Sequence, residues 1–321
     1  MTEGGNKLII GSRGSELALW QANWAKAELE RRLGSGSVEI NIIKTTGDKI
    51  LDAPLSKIGD KGLFTKELDH ALLEGSIHLA VHSMKDVPTA LPEGLAIAAI
   101  TKREDIRDVF VCHPSKHHKH IQDLPQGATI ATGSLRRRCQ LLNWRNDLKI
   151  SDLRGNLGTR LEKLRSSDWD GIILARAGML RLGLSDRITE IIPVEKILPA
   201  VGQGALAIVV RSDDHDTFRK VHALHHEPTA YAVKAERAFL RFLEGGCQVP
   251  IGTHARMEDN QLLFDGLIGS LDGKRVVRGK THSAPEQSED AATELAKTLY
   301  KSGGKEVLDE IRELGQAAIA V

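Results

Sequence analysis

Residues 128–144 read A-T-I-A-T-G-S-L-R-R-R-C-Q-L-L-N-W, and the order of residue types within them decides the fold class. Ala128 to Thr132 is a short apolar run with β-branched members, closed by Gly133, and reads as a buried strand. Ser134 then stands as the N-cap of a helix over Leu135 to Trp144. A strand that turns through glycine directly into a capped helix is the repeating unit of an α/β fold. The same order opens the chain: strand Leu8 to Gly11, turn Gly11-Ser12-Arg13-Gly14-Ser15, then a helix capped by Ser15 and running to about Leu33. Its core face is expected to carry Leu17, Trp20, Trp24 and Ala27.

Working outward, Val38 to Lys44, His78 to His82, Leu95 to Ile100, Val109 to Cys112, Ile172 to Ala175 and Leu206 to Val210 read as further strands, and Leu63 to Leu73 as a helix. Strands alternating with helices imply mainly parallel sheets covered on both faces. A second α/β unit runs from about Val109 to Pro199, and the glycine-rich Ala200 to Ala205 crosses back into an apolar strand. From about Pro228 the pattern changes. A long helix, Thr229 to Leu243, precedes Gly245-Gly246; three short strands between Ile251 and Lys280 and two closing helices follow, which reads as a separate α+β domain. The expected division is 1–105 with 204–224, then 106–203, then 225–321.

Charge is unevenly distributed. Between Ile130 and Arg181 stand nine Arg and two Lys against five Asp and Glu, while the whole chain of 321 residues carries a net charge of only +1. Arg136, Arg137 and Arg138 fall in the first turn of their helix, where cations oppose the macrodipole by roughly 0.3–1 kcal/mol each. Gly155-Asn156 begins a second helix flanked by Arg154 and Arg160. A lone arginine reads as solvated surface. Two basic helix N-termini so close in sequence read as a place where an anion meets both N–H groups and guanidinium forks.

Composition narrows the anion. Aromatic residues are 4% of the chain, too few to stack single-stranded nucleic acid, and a near-neutral total charge is unlike a phosphate-backbone binder. No apolar run approaches the ~20 residues that span a bilayer, and M-T-E-G-G-N-K lacks the pattern of a secretory signal. Three scattered cysteines, Cys112, Cys139 and Cys247, make no disulfide framework. The expected setting is cytoplasmic, with no membrane or nucleic-acid partner. Four histidines and two lysines in His113 to His120 read as a solvated connector between domains, because nothing nearby completes a ligand set, and no metal is expected.

Ligands of open sheets bind beyond the carboxyl ends of strands, and three candidate groups lie at such ends. They are Arg13 with Ser15, Lys85 with Asp86 in H-S-M-K-D-V-P, and Thr132 with Ser134. The topology could bring them around one cleft. Asp86 is an acid among cations, so it reads either as a general acid/base and cation stabiliser or as a turn cap paired with Lys85. Cys247, in G-G-C-Q-V-P-I-G past a helix end, reads either as a reachable thiol or as an incidental one, with no activating base in view.

Seven motifs in order resemble the hydroxymethylbilane synthase (porphobilinogen deaminase) family over nearly the whole chain. They are G-S-R-G-S from Gly11, K-G-L-F-T-K-E-L from Lys61, H-S-M-K-D-V-P from His82, S-L-R-R from Ser134, R-G-N-L-G-T-R from Arg154, A-V-G-Q-G-A from Ala200 and G-G-C-Q-V-P-I-G from Gly245. The resemblance implies two doubly wound α/β domains resembling type II periplasmic binding proteins, plus a smaller C-terminal α+β domain bearing the cysteine. It implies a monomer that joins four porphobilinogen molecules head to tail, with loss of ammonia, into hydroxymethylbilane. The growing chain is held on a dipyrromethane cofactor in thioether linkage to a cysteine, matched by Cys247.

By the same resemblance Asp86 is the catalytic carboxylate. Arg13, Ser15, Lys85, Thr132, Ser134, Arg136, Arg137, Arg154, Arg160, Arg181 and Gln203 bind the acetate and propionate side chains of cofactor and substrate. Gly133 stands where the family often has serine. Arg138 and Arg176 have no place from the resemblance, and Arg138 is expected to face solvent. The rival reading is a non-enzymatic small-anion-binding protein with a two-domain cleft, which leaves Cys247 unexplained.

Overall fold

The computed structural model describes residues 7–45, 65–243 and 249–319, with side chains of 315–319 left aside. Among the described residues the chain forms two compact units, one built from 7–45, 65–104 and 205–230, the other from 105–204, 231–243 and 249–319.

The first unit is a five-stranded sheet ordered β2-β1-β3-β10-β4. Its strands are β1 Leu8–Ser12, β2 Val38–Ile42, β3 Leu79–Ser83, β4 Leu95–Ile100 and β10 Leu206–Arg211. β1 pairs parallel with β2 and β3, but β10 lies antiparallel between β3 and β4. The sheet is therefore mixed where a mainly parallel one is expected. The cause is the excursion of the chain into the second unit after β4: its returning strand enters from the opposite end. The unit is discontinuous in sequence for the same reason.

The helix Glu16–Leu33 covers one face of this sheet, and its buried residues are Gln21, Ala22, Ala25 and Leu29. This corrects the expected face. Small side chains let the helix approach the strands closely, and Gln21 is tolerated there because its Nε2 donates to Ser83 Oγ at 2.8 Å. Trp24 packs on the margin of the core, and Ala27 is exposed.

The second unit holds two sheets. One is ordered β7-β6-β8-β5-β9, from β5 Asp108–Cys112, β6 Thr129–Ala131, β7 Lys149–Ser151, β8 Gly171–Ala175 and β9 Glu190–Ile191. Here too β6, β7 and β8 are parallel while β5 runs antiparallel to β8 and β9. Gly171 lets β8 pass Phe110, since a Cβ at that position would lie 2.2 Å from the ring. The His113–His120 segment joins β5 to β6 of this one sheet, so it is a loop within a unit rather than a connector between domains. It is tied down by Lys116 Nζ, which donates to Asp170 Oδ1 at 2.8 Å.

The other sheet is an antiparallel meander of β11 Ile251–Glu258, β12 Gln261–Gly269 and β13 Val276–Ser283, longer strands than expected. The helices Glu227–Phe242, Ser288–Leu299 and Lys305–Ile319 share a core with it around Phe239, Phe264, Leu295 and Leu308. Among the described residues no helix is long and apolar enough to cross a membrane.

Candidate active site

The candidate residues fall into two groups, one on each unit. In the first unit β1 ends in Ser12, and the turn that follows carries Arg13 half-buried. Ser15 caps the next helix by accepting from Ala18 N at 3.4 Å. β3 ends in a single 3₁₀ turn, Met84–Asp86, held by a buried Met84 side chain and by Met84 N donating to Ala205 O at 3.0 Å. That anchoring leaves Lys85 half-buried and Asp86 exposed. Asp86 makes no hydrogen bond or ion pair among the described residues, so its reading as a turn cap or as a partner of Lys85 loses its support.

His82, the first residue of H-S-M-K-D-V-P, is a candidate that the motif alone does not single out. It is 6% exposed, its Nε2 meets no partner among the described residues, and burial, reinforced by the Arg13 charge, depresses its pKa to about 4. At neutral pH it is an uncharged imidazole beside a guanidinium. The signal was present in H-S-M-K-D, where a histidine closes an otherwise apolar strand.

In the second unit β6 delivers Thr132-Gly133-Ser134. Thr132 is buried, donates its N–H to Ser151 O at 2.8 Å and accepts from Ser134 N on Oγ1 at 3.2 Å. Ser134 caps the helix Leu135–Trp144 by accepting from Arg137 N at 3.4 Å. Asn156 caps the helix Leu157–Arg165 in the same manner, accepting from Thr159 N at 2.9 Å. Gly155 precedes it at φ +109°, a conformation that favours glycine.

The arginines differ sharply in their surroundings. Arg136 and Arg137 are 4% and 5% exposed, and both turn onto Asp108 at the start of β5, which is fully buried. Arg136 Nη2 lies 2.8 Å from Oδ2, and Arg137 Nη2 2.7 Å from Oδ1. Gln203 adds an N–H to Oδ1 at 2.9 Å. Burial alone would raise the Asp108 pKa, but the two guanidiniums and the amide outweigh it and hold the carboxyl well below the usual range. Its contribution to stability is therefore complete at neutral pH and is lost only as pH falls through that depressed value. The anion that the arginine-rich first turn calls for is supplied in part by the chain itself, a residue missed because it lies 28 positions upstream.

Arg160 donates from Nε to Gly155 O at 2.8 Å, and Arg181 from Nη2 to Gly204 O at 2.6 Å. Arg176 pairs with Asp105, which also holds Arg107. Arg138 does not simply face solvent, since it is half-buried and its Nε donates to Leu271 O at 3.2 Å. Arg154 is the contrast. It is half-buried, its guanidinium has no hydrogen-bond partner among the described residues, and burial disfavours its charge, with Asp152 only partly restoring it. Cys247 lies outside the described residues, as do Lys61 to Phe64 of the second motif. Among the described residues no His, Cys, Asp and Glu side chains gather into a metal-binding set.

The sequence profile described as "Porphobilinogen deaminase, dipyromethane cofactor binding domain" matches residues 8–219, and that of the C-terminal domain matches 230–301. The chain belongs to the porphobilinogen deaminase family. It is 51% identical over 311 residues to the porphobilinogen deaminase of Chlorobium phaeobacteroides (strain BS1), covering 96% of this chain and 98% of that protein. The enzyme of Chlorobaculum parvum is 51% identical over 310 residues, with the same coverage. That of Syntrophomonas wolfei subsp. wolfei is 51% identical over 306 residues, 95% of this chain and 99% of the relative.

Within this family the glycine at 133 has a local reason here. A Cβ at Gly133 would sit 2.5 Å from the Leu153 carbonyl oxygen, so the T-G-S turn packs against the backbone that leads into Arg154.

Proposed function

We propose that this chain is a hydroxymethylbilane synthase: a transferase of tetrapyrrole biosynthesis that condenses four porphobilinogen molecules head to tail and releases ammonia at each step. The observation that carries the reading is Asp86, an exposed carboxylate without a partner among the described residues, held on a rigid turn beside Lys85. A protein that only captured small anions has no use for a bare carboxylate there. An enzyme that must stabilise a cationic pyrrole does.

The residues also fit a polycarboxylate cofactor. Among the described residues Arg154 has no hydrogen-bond partner and the buried Arg136 and Arg137 Nε groups meet no acceptor, and the two helices that these arginines flank each have a capped N-terminus. A dipyrromethane in thioether linkage would be held by Cys247 and would supply the primer for chain growth. Arg13, Ser15, Lys85, Thr132, Ser134, Arg136, Arg137, Arg154, Arg160, Arg181 and Gln203 hold acetates and propionates through charge-assisted hydrogen bonds. Asp86 would face the pyrrole N–H groups, where its charge would offset the cation that develops as the aminomethyl nitrogen departs as ammonia and its oxygen could take up the proton lost from the newly bonded carbon. The division into domains 1–105 with 204–224, 106–203 and 225–321 belongs to this reading and is supported by one sheet in each. So does a cytoplasmic monomer with neither membrane nor nucleic-acid partners, the near-neutral charge supporting the last of these.

The test is the intact mass of the purified protein together with its turnover of porphobilinogen. A covalent dipyrrole adduct and ammonia release are expected. An unmodified mass in a preparation that turns over at full rate, or binding without ammonia release, overturns the reading. Arg154→Lys is expected to raise KM for porphobilinogen about tenfold, because a lysine lacks the bidentate fork that matches a carboxylate, while the melting temperature stays near that of the parent. Unchanged kinetics with a lowered melting temperature would make Arg154 structural.

A further inference from the structure

Two buried guanidinium groups share one buried carboxylate on β5. Asp108 Oδ1 accepts from Arg137 Nη2 at 2.7 Å and from Gln203 Nε2 at 2.9 Å, while Oδ2 faces Arg136 Nη2 at 2.8 Å. The opposite nitrogen of each fork is fixed as well. Arg136 Nη1 donates to Leu198 O, and Arg137 Nη1 to Ile173 O at 3.0 Å. Both arginines are thus pinned at two points, from β5, β8 and the segment before Gln203, and neither has rotamer freedom left to seek a ligand. Their charges do not cancel: two cations meet one anion, and the Nε–H of each is buried with no acceptor among the described residues. Burying an uncompensated charge is costly, so the cluster calls for one further negative charge.

We propose that Asp108 is a positioning residue that locks Arg136 and Arg137 into one clamp, and that the pair together answers a single ligand carboxylate rather than one each. The inference rests on the synthase reading and assigns a stoichiometry within it. Asp108 neutralises half of the clamp and sets its geometry. The remaining unit of charge selects one acetate or propionate. Gln203 also braces the carboxylate of Asp108, its Nε2 being shared between Asp108 and Ile106 O at 2.6 Å.

The experiment compares the parent with Asp108→Asn, Arg137→Gln and the double variant, reading KM, kcat, pH profile and the fraction of protein carrying the adduct by intact mass. Asp108→Asn is expected to raise KM about tenfold or more and to lower adduct occupancy. The pH profile should keep its shape, because Asp108 transfers no proton. The double variant should be no worse than the more impaired single one, since both act through the same clamp. Multiplied defects in the double variant, or unchanged KM and adduct with only a lowered melting temperature, overturn the proposal. If Asp108→Asn does not fold, Asp108→Glu keeps the charge and displaces the forks by one methylene; a raised KM is then expected, and an unchanged one overturns the proposal. A parent with neither adduct nor turnover sinks the synthase reading and this inference with it. A working parent with an insensitive Asp108 sinks the inference alone.

Discussion

Replacing Cys247 by serine is expected to give a protein of unmodified mass with no measurable turnover of porphobilinogen. A thioether forms at sulfur because a thiol is a soft, readily ionised nucleophile, and a serine hydroxyl is neither. The other two cysteines are unable to take over. Cys139 is buried, and burial, reinforced by Asp272, pushes its thiol up to about 12. A Cβ at Gly269 would lie 2.2 Å from its sulfur, so little space surrounds it. Cys112 is half-buried, its Sγ donates to Lys116 O at 3.3 Å, and its pKa is raised, by burial first. Cys112→Ser should accordingly keep both adduct and turnover. An adduct persisting in Cys247→Ser would move the attachment point to one of these two and break the assignment. Full turnover without any adduct would remove the need for an attached primer altogether.

The sequence alone discloses the parts of this molecule that depend on near neighbours. Ser15, Ser134 and Asn156 cap their helices because an N-cap hydroxyl or amide reaches only two or three residues along the chain. The strand–turn–helix order follows from period and punctuation, which are equally local. What escaped is non-local. The antiparallel insertion of β10 between β3 and β4 joins residues more than a hundred positions apart, and no pattern within either strand records it. The face of the helix Glu16–Leu33 was misjudged because hydrophobic size points to tryptophan, whereas close approach to a sheet selects alanine. Asp108 was invisible for the same reason as β10. An acid at the head of an apolar strand reads as a boundary until the two arginines that cover it are in place. The candidate site therefore divides: motifs name Asp86, Arg136, Arg137 and Arg154 as candidates, whereas Asp108, which only its contacts with the two arginines reveal, carries no such local signal.

That division sets what Asp86→Asn should do. An exposed side chain without a partner among the described residues contributes little to folding, so stability should stay within about 0.5 kcal/mol of the parent. Asparagine is isosteric and leaves the 3₁₀ turn intact, because that turn is held by Met84 and its bond to Ala205 rather than by the carboxylate. Carboxylate-binding arginines are untouched, so the adduct and the KM for porphobilinogen should persist. The loss belongs to kcat. Without a full negative charge near the pyrrole nitrogen the cation that forms as ammonia departs is less stabilised, and no base remains to assist the later proton loss. General acid–base assistance of this kind is typically worth about 10²–10⁴-fold, and kcat should fall within that range. Asp86→Glu restores the charge but moves it by one methylene, and should recover part of the rate. The ratio of the two variants separates charge from position: equal defects would mean that geometry dominates, a large gap in favour of glutamate that charge does. A kcat near the parent value in Asp86→Asn, with the adduct in place, would show that the exposed carboxylate is not the catalytic one, and the chemistry would have to be sought among the other side chains of the same turn.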